Sequence, residues 1–317
     1  MMKKKNPTRI ALIFICAAIG IRIIYYALTE GFSLERIRTT LVLSDELSLP
    51  PPSARKLSQL KSCTDQLFYY LKKGSQAYAF ISEDGQYILK LFKYHHMQPA
   101  APWFQAIPLP NSIREYRDSL VARREHRISL TLNSYKIAAL SLRSECALAF
   151  AQIIPSKSYS LPVTIRDGIG REYAIDLADH GFALQRKADL IRSSFEKWIA
   201  KNDMDSAKAA IDSLVGIIAH RSRKEIQDSD PDLFKNAGLV GTTAIFIDIG
   251  GFHKNPKMTS QDEMKWDMDK VFRRFAVWLS ENSEELHTYL QQRLESPWES
   301  SWSKLPDYAR STSPLSQ

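Results

Sequence analysis

Cysteine is scarce in this chain of 317 residues: Cys16, Cys63 and Cys146 are the only three, and none is grouped with histidines at zinc-site spacing. A zinc-dependent fold and a disulfide-dense secreted scaffold are both excluded. Cys63 and Cys146 are two thiols that an oxidising compartment could join, and their positions in the chain leave that pairing open. Glycine is thin as well, at 12 residues, and no G-x-x-x-x-G-K-[ST] run exists, which excludes a Walker-type phosphate loop. No internal repeat is present, so a solenoid is excluded. Acidic residues are missing from the first 28 positions, which hold five positive charges, so only +3 of the formal +8 belongs to the rest of the chain. The isoelectric point of 9.2 is therefore no argument for nucleic-acid binding, and no helix-turn-helix, zinc-finger or RNA-binding signature supports it.

What is there begins with an apolar run. Ile10 to Leu28 carries one charge, Arg22, and follows Lys3, Lys4, Lys5 and Arg9. Its 19 residues are long enough to cross a bilayer, Arg22 can snorkel toward the interface, and Tyr25 and Tyr26 suit the headgroup region. No small-x-small cleavage site follows, so the run reads as an uncleaved single-pass anchor. The positive-inside rule puts the basic N-terminus, residues 1–9, in the cytoplasm and the rest of the chain across the membrane. Residues 29–55 read as a linker, because Gly31 stands near its start and Pro50, Pro51 and Pro52 near its end. One domain over 56–295 follows, with 44% hydrophobic residues in the whole chain to build a core. A tail, 296–317, ends in the Ser- and Pro-rich stretch Pro306 to Gln317, which reads as disordered.

The most informative stretch is L-K-K-G-S-Q-A-Y-A-F-I-S-E-D-G-Q-Y-I-L-K-L-F-K, Leu71 to Lys93. Alternation and the Asp84-Gly85 turn predict strands over Phe68–Leu71, Ala77–Ser82 and Tyr87–Phe92, with Gly74, Ser75 and Gln76 as a tight loop between the first two. Glycine there lets backbone N–H groups approach a phosphate, and a lysine on the third strand, Lys90, can pair with phosphate oxygens. Downstream, D-S-D-P-D-L-F-K-N from Asp228 to Asn236 puts carboxylates ahead of an asparagine. A-I-F-I-D-I-G from Ala244 to Gly250 then ends an apolar strand on an Asp-x-Gly turn. Phosphoryl transfer needs hard oxygen ligands for a divalent cation and a carboxylate to orient the attacking hydroxyl, and these clusters contain both.

In residue types, order and spacing, the chain resembles the protein-kinase-like superfamily, and within it a divergent group of bacterial kinase-like proteins. The resemblance covers about residues 56–295. It implies an α+β fold of two lobes, a small β-rich one and a mostly helical one, here after one N-terminal transmembrane helix. It also implies Gly74, Ser75, Gln76 and Lys90 as ATP-binding positions and Asn236 and Asp248 as Mg²⁺ ligands. Asp230 or Asp228 is implied as the catalytic aspartate, with Asp232 a further candidate if the loop shifts. Phe182 to Ala188 would be the hinge strand beside adenine. Residues 112–146 show a helical pattern in two parts, one stripe on Ile113, Tyr116 and Leu120 and another on Tyr135, Ala138 and Leu142. Glu115, Glu125 and Glu145 are its candidates for a partner to Lys90. Ile211, Leu214, Val215 and Ile218 stripe a helix over about Met204–Ser222. Helices rich in Trp266, Phe272 and Phe275, and then over Glu284–Leu294, close the domain.

The departures are as concrete as the matches. Only Gly74 remains of the three-glycine loop, no H-R-D is present because Ser222 follows His220-Arg221, D-I-G replaces D-F-G, and A-P-E is missing. Tyr94 to Asn111, with four prolines, reads as an insertion. The expectation is a membrane-anchored phosphotransferase that moves the γ-phosphate of ATP to a hydroxyl acceptor of unknown identity. The alternative is a catalytically inactive pseudokinase that serves as a tethered protein-binding scaffold. An extracytoplasmic domain would lack a steady ATP supply, so topology and activity pull in opposite directions.

Overall fold

The computed structural model describes residues 7–39, 44–94 and 106–295, with the side chains of 7–11 and 13 left out. The basic residues Lys3, Lys4 and Lys5, most of the proline-rich insertion and the C-terminal tail lie outside the described residues. The architecture is α+β: a seven-stranded sheet followed by a mostly helical region.

The chain opens with α1, Pro7–Thr29, and a single turn, α2, Leu34–Ile37. Leu12, Phe14, Ile15, Ile19, Ile21, Ile23, Ile24 and Leu28 of α1 are each more than half exposed. Among the described residues no helix is long and apolar enough to cross a membrane, the first apolar side chains of α1 being outside them. The segment read as a linker is in part packed: Phe32 and Ile37 are buried in the core of the sheet. Phe32 meets Tyr78, Phe80 and Tyr173 edge-on, with ring centroids 5.2, 5.3 and 6.0 Å away. An aromatic buried this way contributes a few kcal/mol, roughly 3–5 by the cost of deleting one, and that burial draws the stretch after α1 onto the domain.

After α3, Ala54–Thr64, capped by Ser53 Oγ on the Lys56 N–H at 3.3 Å, come β1, Leu67–Lys73, β2, Ala77–Ser82, and β3, Tyr87–Phe92. The β2–β3 turn forms where expected. Gly85 takes a left-handed φ of 65°, and the Asp84 carboxylate accepts the Gln86 N–H at 2.9 Å and the Ser82 hydroxyl at 2.6 Å. A single helix, α4, runs over Asn111–Ser141, so the expected break is absent. Ile113, Tyr116 and Leu120 face solvent while Tyr135 and Ala138 are buried, as is Leu142 just past the helix end. The apolar stripe therefore changes function partway along a continuous helix.

Strands β4, Leu148–Gln152, β5, Pro162–Arg166, β6, Glu172–Asp176, and β7, Phe182–Arg186, complete the sheet in the order β4-β7-β3-β2-β1-β5-β6. The β5–β6 hairpin, inserted between β4 and β7, adds to the far edge by a parallel pairing with β1. Two short strands, β8, Asp189–Leu190, and β9, Ile226–Asp228, flank α5, Ile191–Lys201, and α6, Met204–Arg223. Then follow α7, Leu233–Asn236, β10, Ala237–Val240, β11, Thr243–Phe246, and β12, Phe252–Lys254. Helices α8, Gln261–Asn282, and α9, Glu284–Glu295, end the described chain. The first of them starts on a Ser260-x-x-Glu263 signature, with Ser260 Oγ accepting the Glu263 N–H at 3.2 Å. A second core joins α6, α8, α9, β10 and β11 to the C-terminal half of α4.

Candidate functional site

Two pieces of irregular backbone, 228–236 and 247–252, are brought together by short pairings. Strand β9 pairs antiparallel with β12, setting Asp228 opposite Phe252, and β10 pairs with β11, setting Ala237 opposite Phe246. Between these ladders the Asn236 carbonyl accepts the N–H groups of Ile247 at 2.8 Å and Asp248 at 3.3 Å. Asn236 and Asp248, twelve positions apart in the chain, become neighbours by this backbone bond. Their support is a buried ion pair between Arg221 of α6 and Asp267 of α8; Gln227 of β9 reaches the same carboxylate at 3.4 Å. Ser134 of α4 clamps the other piece: its hydroxyl donates to the Ile249 carbonyl at 2.6 Å and accepts the Phe252 N–H at 2.6 Å.

The three candidate aspartates have three different environments. Asp228 is only 4% exposed and accepts the Asp230 N–H at 3.1 Å and the Asn236 Nδ2 at 3.4 Å. Burial pushes its carboxyl up to about 6, against the pull of Arg221. Asp230 is exposed, and its backbone carbonyl accepts the Asn236 side-chain N–H. Asp232 is tied up with Arg274 and with Lys235 at 3.2 Å, so it is a structural loop residue. The Asn236 amide nitrogen is thus committed to Asp230 and Asp228. Its amide oxygen is left as the hard donor beside Asp248, whose own side chain is exposed. Two such oxygens are of the chemical kind that holds Mg²⁺, which usually takes one or two protein oxygens plus substrate and water.

Opposite this acidic half stand the lysines. Lys90 lies on β3 between Ala79 of β2 and Ala183 of β7, and its Nζ donates to the Ile247 carbonyl. Burial lowers its pKa, and the charge on Asp248 opposes that fall, so the two groups share one site. None of the three glutamates proposed as its partner pairs with it among the described contacts. Glu115 and Glu125 are exposed on α4. Glu145 is buried and engaged by Lys224 at 2.7 Å and His220 at 2.8 Å. Facing the 247–252 turn, α4 offers Thr131, Ser134 and Tyr135 instead of a glutamate.

The loop of Gly74, Ser75 and Gln76 closes on itself through the Gly74 N–H to the Ala77 carbonyl, 2.9 Å. Gln76 leans away from the sheet into the D-I-G turn, with Nε2 3.4 Å from Thr131 Oγ1 and Oε1 3.5 Å from the Tyr135 hydroxyl. A Cβ on Gly250 would collide with the Gln76 carboxamide, and one on Gly251 would collide with the Asp228 carboxylate. A side chain at either position would have to displace a neighbouring side chain end, Gln76 at Gly250 and Asp228 at Gly251, and the doubled glycine after Asp248 was the signal for this close approach.

Three residues that bear on this loop escape sequence reasoning. Lys93, just past β3, is fully buried, lies 4.6 Å from the Tyr78 ring centroid and donates to the Gly74 carbonyl. Burial pulls its ammonium down to about 8. Glu30, in a left-handed conformation at φ 47°, accepts the Lys73 N–H at 2.8 Å and the Tyr70 hydroxyl at 2.7 Å. Tyr26 accepts from Lys73 Nζ at 3.1 Å. The end of α1 is thereby fastened to the residue immediately before Gly74. The hinge strand is shorter than expected, ending at Arg186; its Gln185 side chain donates to the carbonyls of Cys146 at 2.8 Å and Phe246 at 3.2 Å, which joins the sheet to β11.

No family model and no curated protein matches the chain. Among solved structures, two of WbdD, one described as a bifunctional kinase-methyltransferase, are each 13% identical. They cover 78% and 70% of this chain with TM-scores of 0.33 and 0.31. The chain spans less than half of those proteins, 48% and 42%, and the likeness is too slight to assign any residue a role.

Proposed function

We propose that the protein is a membrane-anchored, kinase-like phosphotransferase that moves the γ-phosphate of ATP to a hydroxyl acceptor. The observation that carries this reading is the convergence of Lys90, Asn236, Asp248 and Asp230: the Lys90 side chain bonds the Ile247 carbonyl, 157 positions on, the Asn236 carbonyl accepts the Asp248 N–H, and the Asn236 side chain bonds the Asp230 carbonyl. Bound Mg²⁺·ATP would supply the transferable phosphoryl group and the charge neutralisation its transfer requires. Asn236 and Asp248 would hold the cation. Lys90 would exchange the Ile247 carbonyl for a phosphate oxygen, a charge-assisted bond in place of a neutral acceptor. Asp230, exposed, would orient the acceptor hydroxyl and take its proton. Asp228 would act through it as a positioning residue, fixing the Asp230 backbone and the Asn236 amide from beneath.

Asp230→Asn should lower phosphate transfer about 10²–10⁴-fold with an unchanged melting temperature. Equal activity of this variant would remove Asp230 from the role. The anchoring part of this reading rests on the sequence run Ile10 to Leu28, 19 residues with one charge. By the positive-inside rule the basic residues ahead of that run would put the domain across the membrane from the cytoplasm, and protease protection in sealed vesicles tests that orientation.

A second reading, a pseudokinase scaffold, has its own specific support. Lys90 is bonded to a main-chain carbonyl, α4 brings no glutamate to it, and Gln76 occupies the approach to the D-I-G turn. Binding of Mg²⁺·ATP without turnover against any hydroxyl acceptor would favour this reading.

A further inference from the structure

The N-terminal half of α4, residues 111–130, sorts its side chains in a way the candidate site does not use. Ile113, Tyr116, Leu120, Arg124 and Arg127 follow one another at steps of three or four, which sets them on one face of the helix. The same steps lead on to Thr131 and Ser134, so this is the face that farther along meets Gln76 and the Ile249 carbonyl. Ahead of that contact it is open. Ile113, Tyr116 and Leu120 are 52%, 63% and 45% exposed, and Arg124 and Arg127 are exposed with no ion pair among the described residues. Arg123 beside them donates only to neutral groups, the Ser119 carbonyl and hydroxyl, each at 3.2 Å. The acids of this half, Glu115, Asp118 and Glu125, are spaced three and then seven positions apart and stand on the opposite face.

We propose that this face is a docking surface for a bilayer containing acidic lipid, with Ile113, Tyr116 and Leu120 entering the acyl boundary and Arg124 and Arg127 meeting lipid phosphates. Apolar side chains and cations on one face, with the acids turned away, complement a surface that is anionic outside and apolar beneath. Position favours lipid over an acidic protein helix, which would match the charges as well. The Gly74–Gln76 loop joins α4 to the end of α1: Tyr26 accepts from Lys73 Nζ at 3.1 Å on one side, and Gln76 Nε2 lies 3.4 Å from Thr131 Oγ1 on the other. On the anchored reading, on which this step rests, α4 is therefore tethered at the bilayer and no partner has to be recruited. The same helix clamps the Ile249 carbonyl through Ser134, so a docked α4 would hold the D-I-G turn from the membrane side.

The test uses the full chain with Cys16→Ser and Cys63→Ser, Cys146 being buried, and a nitrobenzoxadiazole probe on Leu120→Cys or, on the opposite face, on Ala122→Cys. The chain is placed in phosphatidylcholine nanodiscs with or without phosphatidylglycerol, and doxyl-labelled lipid serves as the quencher. Docking predicts quenching at Leu120→Cys that needs phosphatidylglycerol and is weak at Ala122→Cys. Arg124→Gln together with Arg127→Gln should lower the docked-to-free ratio about tenfold or more, while Glu115→Gln should not lower it. No quenching at Leu120→Cys in the phosphatidylglycerol discs would overturn the surface, and equal quenching in both discs would overturn its acidic-lipid part. A probe response that follows chain concentration instead of lipid would assign the face to a second copy of the chain and overturn the lipid. A chain that does not enter phosphatidylcholine discs contradicts the anchor; added from solution to phosphatidylglycerol vesicles, it still decides the docking by quenching or its absence at Leu120→Cys.

Discussion

The acidic and the basic halves of the candidate site are built differently. On the acidic side Asp228, Asp230 and Asn236 hold one another through side-chain and main-chain bonds, and Asp248 joins them through the Asn236 carbonyl. That half is preorganised: the Asp248 Oδ1 accepts the Gly250 N–H at 3.1 Å, which leaves its second carboxylate oxygen to meet a cation. On the basic side the charged groups are already spoken for, Lys90 by the Ile247 carbonyl and Lys93 by the Gly74 carbonyl, while Gln76 leans into the turn. Each carbonyl is a neutral acceptor of the kind a phosphate oxygen would outcompete. A nucleotide would therefore bind by exchange on one side and by simple addition on the other.

The largest expected effect falls on the acidic half. Asp228 has its carboxyl raised by burial from 3.8 to about 6, so its contribution to stability is fully present below about pH 3.8 and is lost as pH rises through 6. Asp228→Asn should remove that loss and stabilise the protein at pH 8 by up to roughly 3 kcal/mol, since each tenfold change in proton affinity is worth about 1.36 kcal/mol, with no gain at pH 4. Urea unfolding at the two pH values checks it. A destabilised variant at pH 8 would mean that the negative charge is required to hold the Asp230 backbone and the Asn236 amide.

On the basic half the expected effect is smaller. Lys93→Met keeps most of the buried stem but frees the Gly74 carbonyl, and the nucleotide KM should rise on the order of tenfold, the worth of one charge-assisted bond to the loop, with kcat little changed. An equal fall in kcat would place Lys93 in the transition state rather than under the loop. Smallest of all is the strut from α1: Glu30→Gln keeps a hydrogen bond to Lys73 or Tyr70 but weakens both, and should cost about 1 kcal/mol or less of stability. Faster amide exchange at Gly74 and Ser75 in this variant would show that the end of α1 steadies the loop, and unaltered exchange would disconnect the two.

Local chemistry explains which parts were legible in the sequence. Strands β2 and β3 match their expected bounds because alternation and an Asp-Gly turn act over a few residues. Helix α6 was equally readable from its single apolar stripe, and the structure adds an Asp203 cap that accepts the Ser206 N–H. Helix α4 was misread as two because its N-terminal half carries a second apolar stripe that is exposed rather than part of the core. Phe32 and Ile37 looked like linker residues, since nothing near them in the chain says that a sheet 40 positions on will bury them. The order Lys90, Asn236, Asp248 was visible. The different environments of Asp228, Asp230 and Asp232 were not, because which carboxylate is buried is decided by the ladders β9–β12 and β10–β11.

The central claim, that Lys90 and Asp248 belong to one Mg²⁺·ATP site, is tested most directly by the melting temperature of the full chain in detergent. It is measured with and without Mg²⁺·ATP for the unaltered protein and for Lys90→Ala and Asp248→Asn. Ligand at ~100 times its dissociation constant should add roughly 2.7 kcal/mol, a rise of a few degrees. The account predicts a rise that needs magnesium and disappears in both variants; no rise in the unaltered protein, or an undiminished rise in either variant, would contradict it.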